Sequence, residues 1–325
     1  MNKFLQPGVA LLNRVTYGTK FILGGAFFSL LLLVGVYQII PTLHQEREIT
    51  KAELNGIRIE GALSKLLKSL QQHRGFSAIG LTGNTTIASR LTRNEEEISK
   101  HIADIEIAGV KEISESTATR WEALKRLWIE HPKLLPRMSA VANFKVHTQI
   151  INDLLGLMKL VADSSNLTLD SNIDSYYLGR AITSDLPVTL ESMAQMRAIG
   201  SRMFKGESIS LQDKLELASI LGVAKATQNN ARKDILHSVR DNYELRTIYE
   251  PLLNDSEKAL LEFSQLVNEN IFVPDSLSIT PADFFSGATP IINNYFSVYD
   301  NVVLALEGVL KNRVNDLSLK INSIY

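Results

Sequence analysis

Two arginines stand at positions where helical periodicity predicts apolar side chains. At 100° per residue, Arg74 lies near the centre of one apolar stripe, and Arg197 lies within a second stripe further along the chain. A buried guanidinium is costly unless an anion meets it, so each arginine needs a partner from inside or outside the protein. The remaining members of the two stripes are Leu63, Leu66, Leu67, Leu70, Ser77 and Leu81, and Leu186, Leu190, Met193, Ala194, Ser201 and Phe204.

Two inward arginines on different helices can bind one small anion. Guanidinium is planar and permanently charged, and its donors form a fork that matches carboxylate, nitrate or phosphate. A third apolar stripe contains His147, and Arg202 points away from the second stripe toward solvent. The candidate ligand-binding residues are Arg74, Arg197, Ser77, His147 and Ser201.

The alternative is that the arginines are paired inside the protein. Asp163 and Glu191 are inward acidic residues that can serve as salt-bridge partners. The chain would then be a structural, dimerisation or partner-binding module without a small ligand.

Other site chemistry is poorly supported by the sequence. The chain has no cysteine, which excludes disulfides, thiolate metal sites and cysteine nucleophiles. HExxH, GxSxG, Walker A and GxGxxG patterns do not occur, so no enzyme, cofactor or metal is predicted. A calcium-like start at Asp170 fails, because Ser175 and Ala181 stand where glycine and glutamate are required. His73 is interpreted as a lone, locally hydrogen-bonded histidine rather than a metal ligand.

The composition narrows the class of protein. The chain has 325 residues, 45% of them hydrophobic, and a net charge of −1, which excludes a disordered tail and a nucleic-acid-binding protein. Residues 21–40 carry no charge over a length that suits a membrane-spanning helix. Only basic charges precede this segment, so we expect a cytoplasmic N-terminus. A cleaved signal peptide is the alternative, but the apolar run is long and no small-residue cleavage site follows it.

Helical periodicity dominates the rest of the chain, and we expect an all-α fold. Long antiparallel helices would form two stacked four-helix bundles. The expected domains are a cytoplasmic N-terminus at 1–20, a transmembrane helix at 21–40 and a helical-bundle domain at 41–325. The predicted helices cover 44–82, 86–111, 116–130, 138–167, 172–205, 209–240, 243–271 and 281–325.

Two segments resemble a known family. QQHRGFSA at 71–78 resembles a signature of nitrate- and nitrite-sensing-type helical domains, and residues 161–203 resemble a block found beside it. The resemblance implies two stacked four-helix bundles and a small anion held by arginines, with Arg74 and Arg197 as the matching pair. The chain departs from the pattern at His73 and Met196, where glutamate is more usual.

Such domains occur in bacterial membrane receptors. The resemblance therefore implies a periplasmic sensor region, anchored in the inner membrane, that signals by helix displacement. The expected ligand is nitrate, nitrite or a small carboxylate, and we expect a homodimer. A chemotaxis receptor is the expected parent, with a histidine kinase or a diguanylate cyclase as alternatives. The second membrane span and output module of such a receptor would lie beyond this sequence, either because it is a fragment or because it is a natural truncation.

Overall fold

The fold is all-α, as the periodicity predicts. A computed structural model describes residues 16–81, 85–170, 172–201, 208–276 and 279–324. These residues contain no β-strand, and an isolated bridge joins Ser208 to Ser276.

Helix α1, Tyr17–Leu81, is 65 residues long and joins two predicted segments into one. The apolar segment at 21–40 continues through Pro41 into the predicted helix at 44–82, because one proline removes only one hydrogen bond from a long helix. The large apolar side chains of the first segment are exposed. Among the described residues, α1 is the one helix that is long and apolar enough to cross a membrane, judged by length and composition only.

The other helices follow the predicted order with local differences. A π-turn, Ala181–Asp185, divides the predicted helix at 172–205, and a second, Asn268–Phe272, follows α8. Pro132 lies inside α3 instead of ending it. The helices are α2 Ala88–Ile107, α3 Glu115–Leu134, α4 Ala140–Ser164, α5 Ile173–Arg180, α6 Leu186–Gly200, α7 Leu211–Ser238, α8 Tyr243–Val267 and α9 Pro281–Asn322.

Polar side chains set several helix starts. Ser114, Ser139, Ser210 and Asn242 each accept a hydrogen bond from the backbone N–H three residues ahead, at the starts of α3, α4, α7 and α8. These N-caps satisfy donors that the first helical turn leaves unpaired. Local sequence therefore fixes where these helices begin.

The chain divides into two compact units. One comprises Met1–Thr50 with Asn312–Tyr325, and the other is Lys51–Lys311. Within the second unit, α6 packs against α7, α3 against α4, and α7 against α8. The stacking of two four-helix bundles and the domain bounds 1–20, 21–40 and 41–325 stay predictions.

Glu60 on α1 is fully buried, and neither of its carboxylate oxygens has a hydrogen-bond partner. Burial raises the pKa of this carboxyl well above 4.5. The unfolded chain releases the proton first, so the stability of the folded state falls as pH rises above about 4.5.

We expect Glu60→Gln to flatten this pH dependence. The gain in the free energy of unfolding of the variant over the wild type should be larger at pH 8 than at pH 5. Chemical denaturation at the two pH values measures the difference. Glu307→Gln is the control of opposite sign, because bonds from Lys311 and Arg58 lower the pKa of Glu307. An unchanged slope in Glu60→Gln would show that Glu60 is not the group that titrates.

Candidate functional site

Both stripe arginines are buried in the Lys51–Lys311 unit. Arg74 on α1 is 0% exposed and Arg197 on α6 is 1% exposed. They are among the largest fully buried side chains described, so the partners of each guanidinium decide what the site can do.

Arg74 has an internal counterion. Its Nη1 donates to Glu191 Oε1 at 2.7 Å and its Nη2 donates to Glu191 Oε2 at 3.1 Å, which is a bidentate pair. Nη1 also donates to Thr148 Oγ1 at 3.2 Å, while Nε has no partner. Of the two acids that the sequence predicts to be inward, Glu191 is buried and pairs with Arg74. The prediction for Asp163 is wrong, because its side chain is exposed.

The Glu191 carboxylate is saturated by donors. Besides the two bonds from Arg74, Oε1 accepts from Gln195 Nε2 at 2.8 Å and Oε2 accepts from Gln71 Nε2 at 3.0 Å. A carboxylate offers about four acceptor positions, and all are used here. Glu191 is therefore the buried counterion of Arg74.

Arg197 is bound differently. Its Nη1 donates to Thr289 Oγ1 at 3.1 Å and its Nη2 donates to the backbone oxygen of Gln71 at 3.1 Å. The guanidinium lies over the ring of Phe285, with 4.5 Å between its Cζ and the ring centroid. Nε has no partner. Among the described residues, no carboxylate forms an ion pair with Arg197, and the groups described around its guanidinium are neutral.

The site thus carries an excess positive charge. Among the described residues, the two guanidinium groups of Arg74 and Arg197 are accompanied by one buried carboxylate, Glu191, which pairs with Arg74. Burial, followed by the neighbouring Arg74, lowers the pKa of Arg197 to about 9, and Glu191 opposes this shift. Arg197 is still charged at neutral pH. A monovalent anion beside Arg197 would neutralise the cluster.

Two glycines let α9 approach this cluster closely. A Cβ on Gly75 would lie 2.2 Å from the Phe285 ring, and a Cβ on Gly200 would lie 2.3 Å from the Phe284 ring. Real side chains do not approach so closely, so only glycine fits at both positions without movement. Gly75 thereby positions the ring on which Arg197 lies. This explains the residue that follows Arg74 in the sequence.

The other three predicted site residues lie nearby but have other partners. Ser77 Oγ donates to the backbone oxygen of Arg74 and accepts from Asn143 Nδ2. Ser201 Oγ donates to the backbone oxygen of Arg197. Neither hydroxyl bonds to a guanidinium; each is hydrogen-bonded to the backbone oxygen of the arginine in its own helix. Arg202 lies outside the described residues.

His147 belongs to a different cluster. Its Nε2 lies 2.7 Å from His73 Nδ1, and His131 lies beside both. The interpretation of His73 as a lone histidine is therefore wrong. Three helices, α1, α3 and α4, bring these side chains together, and no local spacing in the sequence indicates that they meet.

Sequence reasoning also missed Gln71 and Thr289. Gln71 contacts both arginine systems, through its side chain to Glu191 and through its backbone oxygen to Arg197. It stands in the same sequence segment as Arg74, but a glutamine gives no sign of its partner. Thr289 lies on α9, and its role depends on how α9 packs.

A separate surface groove of about 760 Å³ lies along α3 and α4. Its lining includes Glu115, Arg120 and Asp153, and it contains neither Arg74 nor Arg197. Its mixed charges do not favour one sign of ligand. The buried arginines are the better candidate for an anion site.

Comparison with known proteins identifies the family of the chain. A family model described as nitrate and nitrite sensing matches residues 65–307, which include both arginines. No curated protein matches the chain. The solved structure of the NasR transcription antiterminator is similar in fold, with a TM-score of 0.57 and 15% sequence identity over 90% of this chain and 83% of that chain. The family match covers most of the sequence and confirms the resemblance found at 71–78 and 161–203. The chain belongs to the family of nitrate- and nitrite-sensing domains.

Proposed function

We propose that this chain is the sensor region of a bacterial transmembrane receptor, and that nitrate or nitrite binds beside Arg197. The parent is a methyl-accepting chemotaxis protein, with α1 anchored in the inner membrane and the helical unit in the periplasm. The chain acts by binding and conformational change rather than by catalysis. Two copies of the chain form the signalling unit.

One observation carries the proposal: Arg197 is buried, charged and without a carboxylate partner among the described residues. A folded protein rarely leaves such a group uncompensated, because an unpaired buried charge is strongly destabilising. The unpaired Nε donors of Arg197 and Arg74 provide hydrogen bonds for an incoming ligand. An anion that meets them would satisfy both the charge and the donors.

The charge count favours a small monovalent ligand. Arg74 is already neutralised by Glu191, so the excess is the single charge of Arg197. Nitrate and nitrite carry one charge, and their planar oxygens match the guanidinium fork. A doubly charged anion would leave the buried cluster negative, and burying that charge is costly.

The site can couple ligand binding to helix position. Arg197 is on α6, but it bonds to Gln71 on α1 and to Thr289 on α9. An anion bound at Arg197 would favour the packing of these three helices that best surrounds it. Because α1 also contains the apolar segment, its displacement would carry the signal toward the membrane.

Calorimetric titration of the full chain in detergent tests the proposal. We expect saturable binding of nitrate and nitrite at one site per chain, with acetate weaker and sulfate absent. Melting temperature should rise with nitrate concentration, since the ligand binds only the folded state. If none of these anions binds, Arg197 is held by neutral groups alone and the chain is a structural or dimerisation module.

A further inference from the structure

A second buried cluster includes His73, which precedes Arg74 in the sequence. His73, His131 and His147 are 0%, 2% and 0% exposed, and one nitrogen from each lies within 4.8 Å of the others. They come from α1, α3 and α4. None of the three side chains bonds to Arg197.

The outer partners of two histidines fix which nitrogen carries the proton. His73 Nε2 lies 3.3 Å from the carboxylate of Glu95, and His147 Nδ1 lies 2.9 Å from the backbone oxygen of Asn143. Both partners accept hydrogen bonds, so both of these ring nitrogens are the donors. The remaining nitrogens, His73 Nδ1 and His147 Nε2, then bear lone pairs.

These two lone pairs point at each other across 2.7 Å. Two acceptors at that distance repel unless a cation lies between or beside them. A shared proton would serve, but it would place a charge on buried imidazoles. Both rings are fully buried, and an unpaired charge is costly there, so a proton is disfavoured. A metal ion needs neutral imidazoles, which this environment supplies.

His131 completes the set with an unused side chain. Neither of its ring nitrogens has a hydrogen-bond partner, although the ring is buried. Burial removes water from both ring nitrogens, and this desolvation is uncompensated unless a ligand such as a metal ion binds them.

We propose that His73, His131 and His147 bind one divalent transition-metal ion of the zinc class. Three imidazole nitrogens suit zinc, copper or nickel, whereas magnesium and calcium require oxygen ligands. Zinc bonds nitrogen at about 2.0–2.1 Å, which sets ligand nitrogens roughly 3.3 Å apart in a tetrahedron. The separations of 2.7 Å to 4.8 Å bracket this value, so small side-chain rotations suffice.

The surroundings match a metal centre beyond its ligands. A histidine that ligates metal usually donates its other N–H to a carboxylate or a backbone carbonyl, as His73 does to Glu95 and His147 does to Asn143. Glu95 is 36% exposed at its side chain and so connects the buried cluster to solvent. Water would supply the fourth ligand of the tetrahedron.

The metal would also adjoin the anion site. His73 precedes Arg74 on α1, and His147 precedes Thr148, which accepts from Arg74, on α4. A metal that ties His73 to His147 would hold α1 and α4 in the register that the Arg74–Thr148 bond requires. Metal binding itself does not depend on whether the anion is nitrate.

The test uses the full chain in detergent, stripped with a chelator and then titrated with Zn²⁺. We expect one Zn²⁺ per chain, a rise in melting temperature, and visible absorption bands of a four-coordinate site when Co²⁺ replaces Zn²⁺. Equimolar Zn²⁺ should abolish the cobalt bands. The cobalt spectrum uses the unmodified protein, so it does not depend on a variant that folds.

His131→Gln should weaken Zn²⁺ binding at least about tenfold, because it removes a direct ligand. Circular dichroism of the metal-free variant checks that it folds, because the His131 ring packs against Trp128 and His147. His101→Gln, a change of the same kind at a half-buried histidine of α2, should bind Zn²⁺ as the wild type does. The proposal is overturned if the cobalt bands do not form, in which case His73 and His147 share a proton instead of a metal. It is also overturned if His131→Gln binds Zn²⁺ with the affinity of the wild type.

Discussion

Replacing Arg74 with alanine is expected to lower the free energy of unfolding by about 3–5 kcal/mol. The change leaves Glu191 as an anion in the interior, without the bidentate partner that neutralises it. Gln71 and Gln195 still donate to the carboxylate, but neither carries charge. Chemical denaturation followed by circular dichroism measures the loss.

Two comparisons isolate the cause. Arg74→Met combined with Glu191→Met removes both charges and should recover much of the lost stability, because an apolar pair can replace a buried ion pair. Arg58→Ala removes a 52% exposed arginine of the same helix, paired with Glu307, and should cost less than about 1 kcal/mol. A loss in Arg74→Ala no greater than that of Arg58→Ala would mean that Glu191 is not a buried anion.

The sequence predicted that the arginines are buried, because periodicity alone sets which residues share a helix face. It left open which acid, if any, each arginine meets. That depends on the rotation and register of α6 against α1, which no local pattern specifies. The structure divides the two alternatives between the two residues: Arg74 has an internal partner, whereas Arg197 has no carboxylate among the described residues.

The boundaries of the helices were predictable where capping chemistry sets them, as at Ser210 and Asn242. They were less so at Pro41 and Pro132, which lie inside helices because the lost hydrogen bond is a small part of a long helix. The π-turn at Ala181–Asp185 carries no such signal, since it depends on packing around it.

The histidine cluster shows a different limit. Metal motifs are recognised when two ligands lie close in sequence on one element. Here each ligand comes from a separate helix, and His73 looks solitary in the sequence. The one hint is its position, where the resembling family more often has glutamate. Only the tertiary structure shows that His73 lies beside His131 and His147.

Arg197→Met should have the opposite balance of effects from Arg74→Ala. We expect nitrate affinity to fall about 10- to 150-fold, the equivalent of losing hydrogen bonds to a charged group worth about 1.5–3 kcal/mol. Stability without ligand should be unchanged or higher, because the variant removes a buried charge that no described carboxylate neutralises. The methionine side chain can still lie on the Phe285 ring. Calorimetry gives the affinity, and denaturation with and without nitrate gives the stability.

The control is Arg246→Met, which removes an arginine charge from the surface of α8, where Arg246 pairs with Glu250. It should leave nitrate affinity unchanged, so that a loss in Arg197→Met cannot be ascribed to net charge. Wild-type affinity in Arg197→Met would exclude this arginine from the ligand site. A loss of stability as large as that of Arg74→Ala would show instead that Arg197 already has a counterion within the protein. If Arg197→Met is more stable than the wild type without nitrate and no longer binds nitrate, Arg197 lowers the stability of the free protein and is needed for binding. That combination is expected of a buried charge whose role is to bind a ligand.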